Sequence, residues 1–307
     1  MMLNLLLTAT LSLATPSAPP ALTLLPVPAQ DPVEVEEEVE EPAPLDEWPA
    51  ADKDTTKLIS KELGRVRKAG TPAMAAGGRE ALIEIGDSAG PALLKALAKE
   101  RKEEARERIA EVLVDITDRR HSRLFAAEFG SKSEHVRLFA LERASNFPDP
   151  AIRELAEAAY AAAEKRVDAK KEIKHELYFA ALALCSSGSI EGLDVLHARA
   201  LKDWGKCGQQ VRAAIEALRG AEASERVASL LDENDRKATV AALRLLAGCG
   251  TKESAGPLVK PLLDSPDNSI RVAAINAARG IVDGDLPLDR LPVFEAVELA
   301  NKWKARL

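Results

Sequence analysis

The chain has 307 residues and a formal net charge of −7, with 30% charged and only 4% aromatic residues. Ala and Leu dominate the apolar set and Lys, Arg and Glu fill much of the rest, which argues against a sheet-based fold and for an almost wholly helical one. A length that could hold two ordinary domains requires a search for internal repeats before cores are counted.

The first 30 residues carry no charge, and Leu3 to Leu13 form a compact apolar run followed by Pro16, Pro19 and Pro20. The run is too short for a bilayer core of ~30 Å, so residues 1–29 are expected to be a secretory signal or apolar leader. No basic residue precedes the run; small residues permit cleavage after Ala14 or after Ala29. No transmembrane helix is expected once the leader is removed, and the protein is expected to be exported to the periplasm, envelope or extracellular space.

Residues 30–52 follow as an acidic, Pro- and Glu-rich linker. Ten of the 49 acidic residues lie between Asp31 and Asp52 with no basic one, so the remainder carries 39 acidic against 42 basic residues, about +3. A segment of that composition cannot bury enough apolar surface to offset ordering, and is expected to be extended and disordered. The charge split suggests that Asp31 to Glu47 folds back over a cationic face and competes with an acidic partner; a plain spacer is the simpler alternative.

From Lys53 onward the chain repeats itself. Ser88-Ala89-Gly90-Pro91-Ala92-Leu93-Leu94 reappears as Ser254-Ala255-Gly256-Pro257-Leu258-Val259, 166 residues later, which as five repeats gives a period of about 33. That period predicts helix starts near 121, 154, 187 and 221, where His121-Ser122, Asp149-Pro150, Ser187-Gly188-Ser189 and Ala223-Ser224 supply capping or first-turn residues. A second series marks the partner helices: Val136-Arg137, Val211-Arg212 and Ile270-Arg271, with weaker copies at Ala105-Arg106, Ile173-Lys174 and Ala238-Thr239. Lys202 to Gln209 breaks the pattern and is expected to be a longer loop, with Trp204 either a binding anchor or tucked back over the irregular unit. In the clearest unit Lys252 to Ser265 reads as one helix, Pro266-Asp267-Asn268 as the turn, with Asn268 or Ser269 capping, and Ser269 to Val282 as the second helix. Leu291 to Leu307 closes the chain as a cap whose final cations complement the helix dipole.

A hairpin of this size cannot bury its apolar faces alone, so several must stack. The fold class is therefore all-α, a right-handed α-α superhelix of about six helical hairpins over residues 53–285, with a C-terminal capping helix in 286–307. The turn aspartate followed by Val-Arg-x-x-Ala, clearest from Asp264 to Ala274, resembles HEAT repeats, particularly the short HEAT-like repeats of phycobilisome lyases. The resemblance implies that Arg137, Arg212 and Arg271 are structural, pairing with a turn aspartate of their own or a neighbouring unit; Asp264 and Asp267 are the candidates. Tetratricopeptide and ankyrin signatures are absent.

No catalytic pattern accompanies the repeat. The four histidines, His121, His135, His175 and His197, lack metal-site spacing. Only one His-Glu dipeptide, His175-Glu176, is present, against the several that di-iron deoxyhypusine hydroxylases of HEAT-like fold use. Gly77-Gly78 and Gly248-Cys249-Gly250 match no phosphate loop. Cys185, Cys207 and Cys249 read as buried small hydrophobes, though a bridge between Cys185 and Cys207 is open. No catalytic, metal or cofactor site is assigned, and no cofactor is expected. The expected function is a non-enzymatic scaffold for an unidentified protein partner. The alternatives are a HEAT-like enzyme such as a bilin lyase-type protein, and a nucleic-acid binder, for which about +3 is a weak phosphate signal. Second helices line the inner face of such stacks, which places Arg143, Arg219, Arg244, Asn276 and Arg279 on the candidate binding face, beside Glu142 and Glu216.

Overall fold

Helix starts in this chain are fixed by short polar side chains that accept from otherwise unpaired amides. In the computed structural model, which describes residues 43–307 apart from positions 69, 172–174, 233 and 289, Asp52 accepts from the Thr55 amide at 2.7 Å at the head of α1 (Lys53–Lys68). Thr71 and Pro72 open α2 (Pro72–Ile85), and Pro91 lies in the first turn of α3 (Gly90–Lys99), which turns back into α4 (Glu103–Ile116). The chain continues through α5 (Ser122–Ala126), α6 (Glu134–Ser145), α7 (Arg153–Asp168), α8 (Glu176–Ser186) and α9 (Leu193–Glu216). Then come α10 (Ala221–Ala228), α11 (Arg236–Cys249), α12 (Lys252–Ser254), α13 (Asn268–Val282) and α14 (Val293–Arg306). No strand occurs among the described residues.

The helices pair in chain order, and the second helices form a continuous row: α6 packs on α8, α8 on α9, α9 on α11, and α11 on α13. Six hairpins run from α3 to α13, with the two halves of α9 forming one of them and the α1/α2 pair standing ahead, so the expected hairpin stack is present. α8 lies between neighbours on every side, and Ala180 to Cys185 are wholly buried. Each leucine there contributes about 1.5–3 kcal/mol by leaving water. α14 lies on α13 and on the Lys260–Asp264 turn, burying Trp303, while Lys304 and Arg306 reach Asp264 and Asp283 at 2.5 and 2.7 Å.

Several expectations are corrected. Lys252 to Ser265 is not one regular helix: beyond Ser254 it passes through a π turn, Ala255–Val259, and a 3-10 turn, Lys260–Asp264, because Pro257 and Pro261 supply no amide to an α-helical ladder. Asp267, not Asn268 or Ser269, caps α13, accepting from the Ser269 and Ile270 amides at 2.7 and 3.3 Å. Burial pushes its carboxyl up, but those amides outweigh burial and hold it below the usual range. Lys202 to Gln209 is no loop. It lies within α9, where Asp203 alone leaves helical geometry (φ −158°, ψ 71°) and joins two half-helices directly. The weak repeat copy at Ile173-Lys174 lies outside the described residues.

The repeat arginines do not pair with turn aspartates. Arg137 donates to the Ser131 carbonyl at 2.7 Å and Arg271 to the Ser265 carbonyl at 2.7 Å, each six residues back, closing the turn that precedes its helix. Arg106 does the same with Arg101 at 3.0 Å and, six back, Glu100 at 3.5 Å. Arg212 breaks this rule. Its residue six back, Lys206, sits inside α9 with its carbonyl committed to the helix ladder, so Arg212 is not a turn-closing residue.

The leader and most of the acidic linker lie outside the described residues, but the linker's last stretch is held against the stack. The Leu45 amide donates to the Arg120 carbonyl at 2.7 Å, and Asp46 accepts from Arg123 at 3.0 Å. Trp48 stacks by His121 and Phe125, with ring centroids 5.2 and 6.1 Å away. It packs against both the core formed by α1 to α4 and the core running from α5 to α14, and Phe139 does likewise. Gly90 makes the room: a Cβ there would lie 2.1 Å from the indole. Cys185, Cys207 and Cys249 are buried and free, so the open Cys185–Cys207 bridge is not formed. Burial pushes all three thiols up, that of Cys249 to about 12.

Candidate functional site: an arginine-lined groove on the second helices

The break at Asp203 sets the direction of Trp204, the first residue of the second half of α9. One turn on, Gly208 lets the indole lie back on its own helix; a Cβ at that position would come within 2.7 Å of the ring. Two turns on, the Arg212 guanidinium sits 5.8 Å from the indole centroid, and Arg244, from α11, sits 5.1 Å from it. Each contact has the geometry of a cation on an aromatic face. Neither guanidinium forms a hydrogen bond or ion pair with a described residue. Both are half-buried, and burial draws the Arg244 guanidinium below its usual value.

Opposite them stands the segment from Gly284 to Pro292, which links α13 to α14. Asn276 fixes it from both sides: its Nδ2 donates to the Leu288 carbonyl at 3.2 Å, and its Oδ1 accepts from the Leu288 amide at 2.9 Å. Arg279 adds a bond to the Leu286 carbonyl at 3.3 Å and an ion pair with Asp285 at 3.0 Å. The space between the α9–α11–α13 row and this segment is a groove of about 920 Å³. Arg212, Arg219, Arg244 and Arg290 line it, with Glu216 and Asp285 as acids. Val240, Val272, Leu286 and Leu291 give it apolar walls.

Of the residues expected on the binding face, Arg219, Arg244 and Asn276 meet in this one groove, together with Trp204, the candidate loop anchor. Arg219 is exposed and makes one long contact, 3.5 Å to the Gly280 carbonyl. Asn276 is spent on the wall, and so is Arg279, which stands behind the lining. Arg143 is elsewhere. It closes the end of α4, donating to the Val114 carbonyl at 2.9 Å and to the Thr117 hydroxyl and carbonyl at 3.1 and 2.5 Å. It borders a smaller pocket of about 540 Å³ whose lining is mainly acidic, through Glu107, Glu111, Asp115 and Glu142, with Arg79. Trp204 lies back on α9 and lines the groove.

Sequence reasoning missed the groove's outer wall and Arg290, and placed Arg212 among the scaffold residues. Tyr178 and Gln210 also escaped it, and they join Glu142 across successive second helices: the Tyr178 hydroxyl donates to Gln210 Oε1 at 3.1 Å, and Gln210 Nε2 donates to Glu142 Oε1 at 3.2 Å. Burial pushes the Glu142 carboxyl up despite the Gln210 bond. No helix among the described residues is long and apolar enough to cross a membrane.

No protein-family model matches this chain, and no curated protein matches it. A solved crystal structure described as an engineered protein is similar at 18% identity, over 82% of this chain and 75% of its own, with a TM-score of 0.30.

Proposed function

We propose that this chain is an exported, non-enzymatic interaction scaffold of the HEAT-like kind, a right-handed superhelix that holds a protein partner in the groove of its last three second helices. One observation carries the reading: the groove presents two half-buried guanidiniums that pair with no acid among the described residues, gathered on a single indole. Charged groups withdrawn from water without partners cost free energy that a folded chain recovers only when something else supplies the partner. The volume suits a few side chains of an extended segment. Apolar walls beside charged anchors match the composition of protein-binding patches, in which Trp and Arg are enriched. The groove's titratable lining is guanidinium and carboxylate, with Asp285 already paired to Arg279, an arrangement suited to holding charge. The apolar leader supports export, and the recurring Val-Arg and Ile-Arg pairs of the second helices support the HEAT-like reading.

A photo-crosslinking residue placed at Ala213, inside the groove, should join one discrete partner in the native envelope fraction, whereas the same residue at Glu154, on the first-helix row, should not. Adducts at Glu154 with none at Ala213 would contradict the reading.

A further inference from the structure

We infer that the groove reads an acidic, extended peptide segment, one of whose carboxylates docks between Arg212 and Arg244 beside Trp204 while a neighbouring aliphatic side chain packs on Val272, Leu286 and Leu291. The inference rests on the groove being the partner site and adds the chemistry of what enters it.

Three observations converge on an anion. Arg212 and Arg244 approach the same ring at 5.8 and 5.1 Å from two different helices, so the separation of their guanidiniums cannot exceed the sum of those distances. An arginine fork binds a carboxylate through two parallel N–H donors, and two forks around one site leave few of its lone pairs unmet. Secondly, among the described residues the charge lining the groove is unbalanced: Arg212, Arg219, Arg244 and Arg290 stand against Glu216 and Asp285, and Asp285 is paired with Arg279. Thirdly, a second pocket, at α4 and α6, holds Glu107, Glu111, Asp115 and Glu142 against Arg79 and Arg143. The α9–α13 groove is the more cationic of the two, so an anionic segment is steered there.

A peptide fits better than a nucleic acid. The outer wall gives the groove Leu286, Leu288 and Leu291, with Leu286 78% exposed, and phosphate-backbone binding needs a long cationic track that neutralises many phosphates. Here only four arginines line the groove, and the pocket at α4 and α6 sets four carboxylates against Arg79 and Arg143. An alternating acid–aliphatic sequence in extended form places successive side chains on opposite sides, which matches arginines on the helix row facing leucines on the wall.

The test measures fluorescence anisotropy at low ionic strength with the full chain and three probes: a labelled peptide of alternating Glu and Leu, its Gln and Leu counterpart, and oligothymidylate. The Glu/Leu peptide should bind about tenfold more tightly than the Gln/Leu peptide, as expected for charge-assisted bonds. Arg212→Gln and Arg244→Gln should each weaken it by about five- to tenfold. Arg123→Gln, which alters a guanidinium committed to Asp46 and Asp149 outside the groove, should leave it unchanged. Equal binding of the two peptides, unaltered affinity in Arg244→Gln, or tighter binding of oligothymidylate would overturn the inference. Melting curves establish that each variant is folded; among the described residues neither groove arginine has a hydrogen bond or ion pair, so replacement removes only its contact with the Trp204 ring. If Arg244→Gln protein still crosslinks its partner through Ala213 as efficiently as the parent, the groove reading survives and the acidic-peptide reading fails.

Discussion

Arg137 Nε donates to Glu176 Oε1 at 2.9 Å, joining α6 to α8 through a pair whose members are 7% and 3% exposed. Glu176 also accepts from Arg166 at 2.7 Å, so one carboxylate ties three helices of two adjacent hairpins. Removing one partner of a buried ion pair strands the other: Arg137→Ala should cost about 3–5 kcal/mol in chemical denaturation. The double variant Arg137→Met/Glu176→Leu should recover much of that loss, since apolar residues of similar volume carry no desolvation cost. A loss below about 1 kcal/mol for Arg137→Ala would show that the pair does not hold these hairpins together.

Gly90→Ala tests how the segment ahead of α1 is held. Gly90 has ordinary helical geometry (φ −50°), so alanine brings no backbone strain, only a Cβ where the Trp48 ring lies. The expected result is a loss of about 1–3 kcal/mol from overpacking, with faster amide exchange at Leu45, whose N–H is held by Arg120. Unchanged exchange at Leu45 would mean that the indole finds another place without releasing the strap.

Glu142 gives a pH signature. Its carboxyl is raised by burial, so the folded state holds the proton more tightly than the unfolded chain. The sign follows: stability is full below the ordinary glutamate value of about 4.3 and falls as pH rises through the raised folded value. Glu142→Gln removes this dependence and should melt higher than the parent at pH 7, with the two converging near pH 4. Parallel melting curves across that range would contradict the assignment.

Asn276→Ala removes both bonds to Leu288 at once. About 1–3 kcal/mol should be lost from two hydrogen bonds, with rapid exchange of the Leu288 amide and weaker binding of the Glu/Leu peptide because the groove loses its wall. Unchanged exchange at Leu288 would assign the wall's position to Arg279 instead.

The hairpins could be read from the sequence because their signals are local and recur: a short polar cap, a proline near the helix start, an apolar stripe and an arginine at a fixed offset. What failed were features that depend on a neighbour. Arg212 carries the same Val-Arg signature as Arg137 and Arg271, yet it serves a different purpose because no turn precedes it. Arg143, Asn276 and Arg279 lie on second helices, but which carbonyls they bind depends on where α4 ends and where the 284–292 segment runs, and an irregular segment has no period to reveal it. Trp48 stood alone in an acidic, proline-rich stretch, where nothing marked it as the residue that touches both cores. The groove was thus half visible, its arginines from the repeat and its wall not at all.

The most direct measurement is amide hydrogen exchange across the full chain with and without the Glu/Leu peptide. Binding in the groove predicts slowed exchange in the second half of α9, in α11 and α13, and at Leu286 and Leu288, with α7 and α10 unaffected. Protection confined to α7 and α10, with none along the α9–α11–α13 row, would contradict it.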